Sequence, residues 1–130
     1  MARFDAVGIA VSDMSRALAF YRLIGLSVPE GAETEGHVEV VIGGGLRLMF
    51  DTEEVVRSFD AGWDPGTCRG RIGLAFLCDG PVDVDDTVER VVAAGHTVAT
   101  PPFDAFWGQR YATVLDPDGN PVDLFAPLER

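Results

Sequence analysis

Apolar residues recur at two different spacings along the chain, and the two spacings follow each other in the same order twice. Apolar runs at 4–11 and 72–78 predict strands, and each is followed by a stretch with helical spacing. The stretches 13–28 and 83–98 align without a gap: each opens on Asp, passes a Gly and re-enters an extended run. Such repetition predicts two copies of one small unit, and two units packed together create a cleft for a ligand.

The predicted helix boundaries follow from local chemistry. We expect Asp13 to cap the first helix, because its carboxylate can accept from the free amide groups of the first turn. Gly25 is expected to end it, because glycine readily adopts the left-handed conformation. The predicted buried face of the first helix comprises Met14, Ala17, Leu18, Tyr21 and Ile24. The second helix is predicted to start at Val84 and to bury Val84, Val88, Val91 and Val92 before Gly95.

Three strands are predicted after each helix. In the first half they lie at 26–28, 37–42 and 46–50, and the glycines at 43–45 supply the positive φ angles of a hairpin. In the second half they lie at 97–99, stopped by Pro101 and Pro102, and at 110–115 and 121–125, joined by the turn-forming residues 116–120.

The resulting fold prediction is a single α+β domain over 1–130 with mostly antiparallel pairing. Module one spans about 1–52 and module two 71–130. The connection at 53–70 contains a short helical turn at 53–59, and a connection of this length is more often functional than accidental.

Composition narrows the function classes. The net charge of −11 argues against partners that need a basic patch, so we expect no nucleic acid and no membrane surface. No apolar run reaches the length of a membrane span, and no secretion signal is visible at the start, so we expect a cytoplasmic protein. Cys68 and Cys78 do not form a disulfide framework and are interpreted as reduced, structural cysteines.

Acidic residues are concentrated in the segment 30–64, which holds nine of them against two arginines. Two interpretations remain open: a solvated face that keeps the protein soluble, or an electric field that attracts a cationic ligand.

The stretches GIAVSDMSRALAFYRLIGL and WGQRYATVLDPDGNPVDLF resemble the vicinal oxygen chelate superfamily, which includes glyoxalase I, extradiol dioxygenases and bleomycin-resistance proteins. The resemblance covers nearly the whole chain. It implies two tandem βαβββ modules, with one helix per module, forming a curved, eight-stranded cup. It also implies a homodimer, which would cover exposed sheet edges.

Catalytic members of that family bind a divalent metal through four side chains, and the resemblance places these positions at Ala6, Met49, Gly73 and Asp123. Only Asp123 offers a hard donor, whereas a catalytic metal needs about three protein ligands. We therefore expect no metal and no other cofactor. For His37 and His96 we expect ordinary surface or hydrogen-bonding roles.

A cleft without metal must act through shape, stacking and charge. The predicted ligand-binding residues are Arg47, Met49, Trp63, Phe103, Phe106, Trp107 and Asp123. An Arg47–Asp123 ion pair is the structural alternative for those two residues, and Arg110 is expected to hold a loop. No catalytic residue is assigned, because the sequence shows no partner that would tune the pKa of Tyr21, Tyr111 or Asp123.

The leading functional hypothesis is a metal-independent binding protein that sequesters a planar or cationic small molecule, such as an antibiotic, in the manner of bleomycin-resistance proteins. The alternative is a glyoxalase-like lyase, isomerase or cyclase that uses side-chain acid–base groups. A metal-dependent glyoxalase or dioxygenase is the third hypothesis, and it predicts bound metal.

Overall fold

The computed structural model describes residues 1–66 and 71–128. The chain forms two compact units, 1–67 and 68–130, called here the N-terminal and C-terminal units. The strands are β1 Ala6–Val11, β2 His37–Gly43, β3 Leu46–Thr52, β4 Leu74–Leu77, β5 Thr97–Ala105, β6 Gln109–Leu115 and β7 Pro121–Pro127. The helices are α1 Met14–Leu23, α2 Glu53–Phe59 and α3 Pro81–Ala93. The α+β class is confirmed.

The N-terminal unit contains a three-stranded mixed sheet in the order β1-β3-β2. Strand β1 runs parallel to β3, and β2 runs antiparallel to β3. Helix α1 packs on one face, where the rings of Tyr21 and Phe50 lie 5.2 Å apart. Along β3 the buried residues Leu48 and Phe50 alternate with residues that point to the opposite face. The side chains on that opposite face are described below with the candidate site.

The C-terminal unit contains a four-stranded mixed sheet in the order β4-β7-β6-β5. Strand β4 is parallel to β7, and the other two pairs are antiparallel. Helix α3 packs against β5, β6 and β7. Ala112, Val114, Val122 and Leu124 are fully buried and alternate along their strands with half-buried residues. The alternation leaves a second set of side chains on the other face of this sheet.

The helix ends form as their local chemistry predicts. The Asp13 carboxylate accepts a hydrogen bond from the amide of Arg16 at 3.1 Å and caps α1. Gly25 and Gly95 have φ angles of 107° and 89°, and each follows the end of a helix. In both places the amide of the next residue bonds back to the last helical turn, which is a common helix-ending arrangement. The repeat therefore extends to the details of helix termination.

The strand predicted at 26–28 is wrong. The Leu26 amide donates to the Tyr21 carbonyl and the Val28 amide donates to the Leu26 carbonyl. These two amides serve the end of α1 and a tight turn, so they are not available to a neighbouring strand. The described residues accordingly form seven strands, where the resemblance implies eight.

Strand β5 is longer than predicted, because Pro101 and Pro102 do not stop it. Pairing with β6 continues to Ala105, with register irregularities after Val98 and after Thr100. β5 is an edge strand, so prolines there lose no hydrogen bond to a second neighbour. The longer strand carries Phe103 into the sheet, although the sequence placed it in a loop.

Helix α3 begins earlier than predicted, at Pro81, with Gly80 as its cap. Proline is favoured at the first helical position because it has no N–H group to leave unpaired. Three predicted core residues, Val84, Val88 and Val91, are buried, but Val92 is 52% exposed and Thr87 is buried in its place.

The connection and the cysteines complete the description. The helical turn predicted at 53–59 is α2, whose first turn is capped by the Thr52 side chain.

Cys78 is a free, half-buried cysteine, and desolvation raises the pKa of its thiol. The prediction for Cys68 lies outside the described residues. No helix of the described part is both long and apolar enough to cross a membrane.

Candidate functional site

Aromatic side chains gather on the face of the C-terminal sheet that points away from the buried row. Strand register places Phe103 opposite Tyr111, and Tyr111 opposite Phe125, so three rings form a row across β5, β6 and β7. The turn between β5 and β6 adds Phe106 and Trp107, which are 97% and 49% exposed. These five residues are called the aromatic face.

Ring geometry shows that the aromatic face is one connected cluster. Trp107 lies at its centre, with ring centroids 4.9 Å from Phe106, 5.4 Å from Tyr111 and 6.1 Å from Phe103, all in edge-to-face arrangements. The Trp107 indole N–H donates to the Gln109 side-chain oxygen at 2.8 Å, which holds the ring in orientation. Edge-to-face contact is a favourable arrangement for a pair of aromatic rings.

A carboxylate lies next to these rings. Asp123 accepts a hydrogen bond from the Tyr111 hydroxyl at 2.5 Å and from the Thr113 hydroxyl at 2.7 Å. The bond to Asp123, followed by desolvation, raises the pKa of Tyr111 to about 12. Tyr111 is thus a hydrogen-bond donor at neutral pH and not a base. The sequence interpretation that Tyr111 lacks a tuning partner is wrong, because Asp123 is that partner.

The corresponding face of the N-terminal sheet is charged. One chain of ion pairs joins side chains of β2 and β3 to the residue before β1. We call it the charged face, and it comprises Asp5, His37, Glu39, Arg47 and Asp51. Arg47 contacts the Asp5 carboxylate and the Glu39 carboxylate, each at 2.6 Å. These contacts raise the pKa of Arg47, with Glu39 as the larger cause.

His37 lies between two carboxylates. Its Nδ1 is 2.5 Å from Asp51 and its Nε2 is 2.7 Å from Glu39. The hydrogen bond to Glu39, followed by the one to Asp51, raises the pKa of His37 above 6.5. The His37 contact is also the main cause that lowers the pKa of Glu39. His37 therefore has the hydrogen-bonding role that was expected, in a setting that the sequence did not reveal.

The predicted ligand-binding residues are distributed over both units. Phe103, Phe106 and Trp107 belong to the aromatic face and Asp123 adjoins it, while Arg47 and Met49 lie on β3 in the N-terminal unit. Trp63 follows α2, with the Arg57 guanidinium 5.3 Å from its ring centre. The sequence missed Tyr111 and Phe125 as members of the cluster.

Arg47, Asp123 and Arg110 each have partners within their own unit. Arg47 is paired with carboxylates, and Asp123 accepts hydrogen bonds from hydroxyl groups. The Arg47–Asp123 pair stays a prediction. Arg110, which was expected to hold a loop, contacts two elements. Its guanidinium bonds Asp85 of α3 at 3.0 Å and Asp104 of β5 at 3.1 Å, and so ties the helix to the sheet.

The positions that the resemblance assigns to metal ligands can be tested against the structure. Met49 lies beside Gly8 of β1, and Asp123 lies beside Ala75 of β4, so the two positions are equivalent in the two units. Asp123 is the only hard donor of the set, and both of its oxygens accept hydroxyl hydrogen bonds. Within 1–66 and 71–128 no group of three or more His, Cys, Asp or Glu side chains is placed to hold a metal ion. The residues present do not fit the implied metal.

An open depression of about 580 Å³ in the N-terminal unit was not anticipated from the sequence. Its lining includes residues at the starts of α1 and α2 and the acidic residues Glu33, Glu35, Glu53 and Glu54. The capping residues Asp13 and Thr52 were the available signal, since they mark the two helix ends that border it.

Comparison with known proteins identifies the family of this chain. Residues 3–124 match the model of the Glyoxalase/Bleomycin resistance protein/Dioxygenase superfamily. The chain belongs to this superfamily. The match covers both units and confirms the resemblance drawn from the two sequence stretches. No curated protein matches the chain.

Solved structures of the superfamily share the fold at low sequence identity. A glyoxalase/bleomycin resistance protein/dioxygenase family enzyme from Burkholderia phytofirmans aligns with a TM-score of 0.81 and 23% identity, over 98% of this chain and 100% of that one. A glyoxalase-related enzyme from Fulvimarina pelagi has a TM-score of 0.79 and 20% identity, over 97% and 88% of the chains. A lactoylglutathione lyase from Agrobacterium tumefaciens has a TM-score of 0.66 and 19% identity, over 97% and 94%.

Proposed function

We propose that this member of the superfamily is a metal-independent binding protein that sequesters a planar, cationic small molecule, such as an antibiotic, on its aromatic face. The observation that carries the proposal is the connected ring cluster with a carboxylate beside it. Phe106 is almost fully exposed and Trp107 half exposed, although burial of aromatic side chains is strongly favourable. A contiguous exposed apolar surface is typical of an interaction site.

The charge of the ligand follows from Asp123. A carboxylate can accept about four hydrogen bonds, and Tyr111 and Thr113 supply two in this structure. The remaining capacity suits an amino, amidino or guanidino group of a ligand. The neighbouring ring faces also attract a cation, because the π-electron cloud is negative above the ring. The net charge of −11 favours approach of a cation as well.

Calorimetry tests the proposal directly. The protein is titrated with a panel of bleomycin-type, quinoxaline and other aromatic antibiotics, and heat of binding at one site per chain is expected for at least one of them. Asp123→Asn should weaken that binding about tenfold, the size of effect expected when a charge-assisted hydrogen bond becomes a neutral one. Asp118→Asn, an exposed change in the turn between β6 and β7, is the matched control. Absence of heat across the whole panel would contradict the proposal.

We also propose a homodimer, because the aromatic face and the sheet edges are surfaces that a second copy could cover. Light scattering coupled to size-exclusion chromatography measures this separately from ligand binding. If dimerisation alone buries the aromatic face, Phe106→Ser yields a monomer and antibiotic binding is absent in the wild type. If the face binds ligand, Phe106→Ser lowers affinity and leaves the oligomeric state unchanged.

A further inference from the structure

Two polar side chains lie next to the aromatic face, on the same side of the C-terminal sheet. Thr113 of β6 is directly opposite Asp123 of β7, and the ring pair Tyr111 and Phe125 lies two residues along the same strands. Side chains two residues apart point to the same side of a strand and are about 7 Å apart. A ligand that lies on the rings can therefore reach these polar groups with a short side group.

The direction of both hydrogen bonds to Asp123 is fixed. A carboxylate can only accept, so the hydroxyl protons of Tyr111 and Thr113 both point at it, each at a different oxygen, with distances of 2.5 Å and 2.7 Å. Tyr111 keeps its proton at neutral pH, because the bond to Asp123 and desolvation raise its pKa to about 12. A hydroxyl group that has donated its one proton has only lone pairs left. Both hydroxyl groups therefore offer a ligand acceptors and no donor.

The space beside the carboxylate is open on the side of β4. Ala75 of β4 lies in register with Asp123, and it is exposed and has only a methyl group as its side chain. Tyr111, Thr113 and Asp123 are each half-buried, so none of the three is enclosed beneath the sheet. A small side group of a ligand has room above Ala75, within reach of these oxygens.

A set of groups that only accepts distinguishes ligands by their hydrogen-bond donors and not by charge alone. Ammonium, amidinium and guanidinium groups have N–H bonds that can be donated to hydroxyl and carboxylate oxygens. A quaternary ammonium group has the same charge and is also attracted to ring faces, but it has no N–H bond. A ligand carboxylate would have to break a hydroxyl–carboxylate bond, which is charge-assisted and about twice as strong as a neutral one.

We propose that the hydroxyl group of Tyr111, together with that of Thr113, is a specificity-determining acceptor that selects planar ligands with an N–H-bearing cationic group. Asp123 is the positioning residue for the two hydroxyl protons, in addition to being an acceptor itself. The inference rests on the proposed function of the aromatic face. It narrows the ligand from planar cations in general to amines, amidines and guanidines that carry N–H groups, and it excludes quaternary cations and anions.

Three probes with the same ring system test the selection: 2-naphthylmethylammonium, its N,N,N-trimethyl derivative and 2-naphthoate. Binding is followed by NMR through the indole N–H signal of Trp107, which is identified by its absence in Trp107→Phe. We expect the primary ammonium to bind about tenfold more tightly than the trimethyl derivative, the effect of one hydrogen bond to a charged group, and naphthoate to bind most weakly. Recognition by charge and ring faces alone predicts that the trimethyl derivative binds at least as tightly.

Tyr111→Phe tests the hydroxyl group itself. Loss of this acceptor should weaken binding of the primary ammonium about fivefold and leave the trimethyl derivative unchanged. If Tyr111 only held Asp123 in place, the substitution would free a carboxylate oxygen, and affinity for the primary ammonium would stay the same or rise. Phe103→Leu, which reduces ring contact, should weaken all three probes by a similar factor. The dispersion of backbone amide signals shows whether each variant is folded.

Asp123→Asn tests the positioning role. The new side-chain amide has donors of its own, so one of the two hydroxyl protons is no longer held and can point at a ligand. The primary ammonium should lose more affinity than the trimethyl derivative, and naphthoate should gain affinity. Loss of charge alone would weaken the two cations equally. Asp118→Asn removes the same charge at an exposed position and is the matched control, in which the affinity ratios should stay unchanged.

Equal affinities of the wild type for the primary ammonium and the trimethyl derivative would overturn the inference and leave binding on the aromatic face intact. An unchanged or raised affinity of Tyr111→Phe for the primary ammonium would overturn the role of the Tyr111 hydroxyl group. Absence of any change at Trp107 with all three probes would overturn the inference together with the proposed function on which it rests.

Discussion

The charged face of the N-terminal sheet and the aromatic face of the C-terminal sheet show how differently one repeated unit can be used. In both units a buried apolar row packs beneath the sheet, and a Gly with positive φ follows the helix. On the opposite side, the N-terminal unit has ion-paired charges and the C-terminal unit has aromatic rings. The fold is therefore common to both units, and what distinguishes them chemically is a few side chains on one face of each sheet.

The two faces also differ in whether their side chains have partners within the same unit. Each charged side chain of the N-terminal face contacts an opposite charge within the same unit. The aromatic face presents apolar rings that the described residues leave partly exposed, with Phe103 at 38% and Trp107 at 49%. Burial of exposed apolar surface against a partner lowers the free energy of the complex. Exposed ion pairs, in contrast, contribute little to stability. This contrast is why we propose the aromatic face as the site of ligand binding.

The largest expected loss of stability comes from a substitution in the buried core, and it should exceed the loss from a substitution on the aromatic face. Leu124→Ala removes a fully buried side chain next to α3 and should lower the free energy of unfolding by about 3 kcal/mol. Phe103→Ala, on the aromatic face, should cost about 1 kcal/mol or less, because the ring is partly exposed already. Urea denaturation measures both. Equal losses would mean that the aromatic face is part of the core.

A smaller effect is expected from the hydroxyl group of Tyr111. Tyr111→Phe removes the donor to Asp123 and should lower the free energy of unfolding by about 1 kcal/mol. In wild type the folded pKa is raised from 10 to about 12, so this contribution is present below pH 10 and is lost as pH rises toward 12. Denaturation at pH 8 and pH 11 should therefore show a gap between wild type and variant that narrows at the higher pH.

The smallest effect is expected on the charged face. The pKa of His37 is raised in the folded state, so its contribution to stability is full below its usual value of 6.5 and is lost as pH rises through the folded pKa. His37→Gln should reduce the difference in thermal midpoint between pH 6 and pH 8.5, and the difference itself should shrink in high salt because the pairs are exposed. His96→Gln serves as the control. An unchanged difference in His37→Gln would show that the ion-pair chain does not form in solution.

The parts of this structure that the sequence predicted are those with local causes. Asp13 caps α1 and Gly25 ends it through hydrogen bonds within a few residues, and the glycine hairpin forms because three residues tolerate positive φ. The end of the strand at Pro101 was misjudged because an edge position, which is a property of the whole sheet, permits proline there.

The Tyr111–Asp123 contact was within reach of sequence reasoning. The turn at 116–120 pairs Leu115 with Pro121, and that register places Thr113 opposite Asp123 and Tyr111 two pairs further along, on the same face of the sheet. The His37–Asp51 contact was not. A register shift between Val41 and Gly43 separates that pair from the glycine turn, so counting residues from the turn gives the wrong partner.

The most direct test of ligand sequestration on the aromatic face uses the two tryptophans, because one belongs to that face and the other does not. Trp63→Phe leaves only Trp107 to fluoresce, and Trp107→Phe leaves only Trp63. Both are titrated with the antibiotic that gives the largest heat in calorimetry, or with each member of the panel if none does. We expect strong quenching of Trp107 at stoichiometric ligand and little change at Trp63. Quenching of Trp63 alone, or of neither residue, would contradict the assignment.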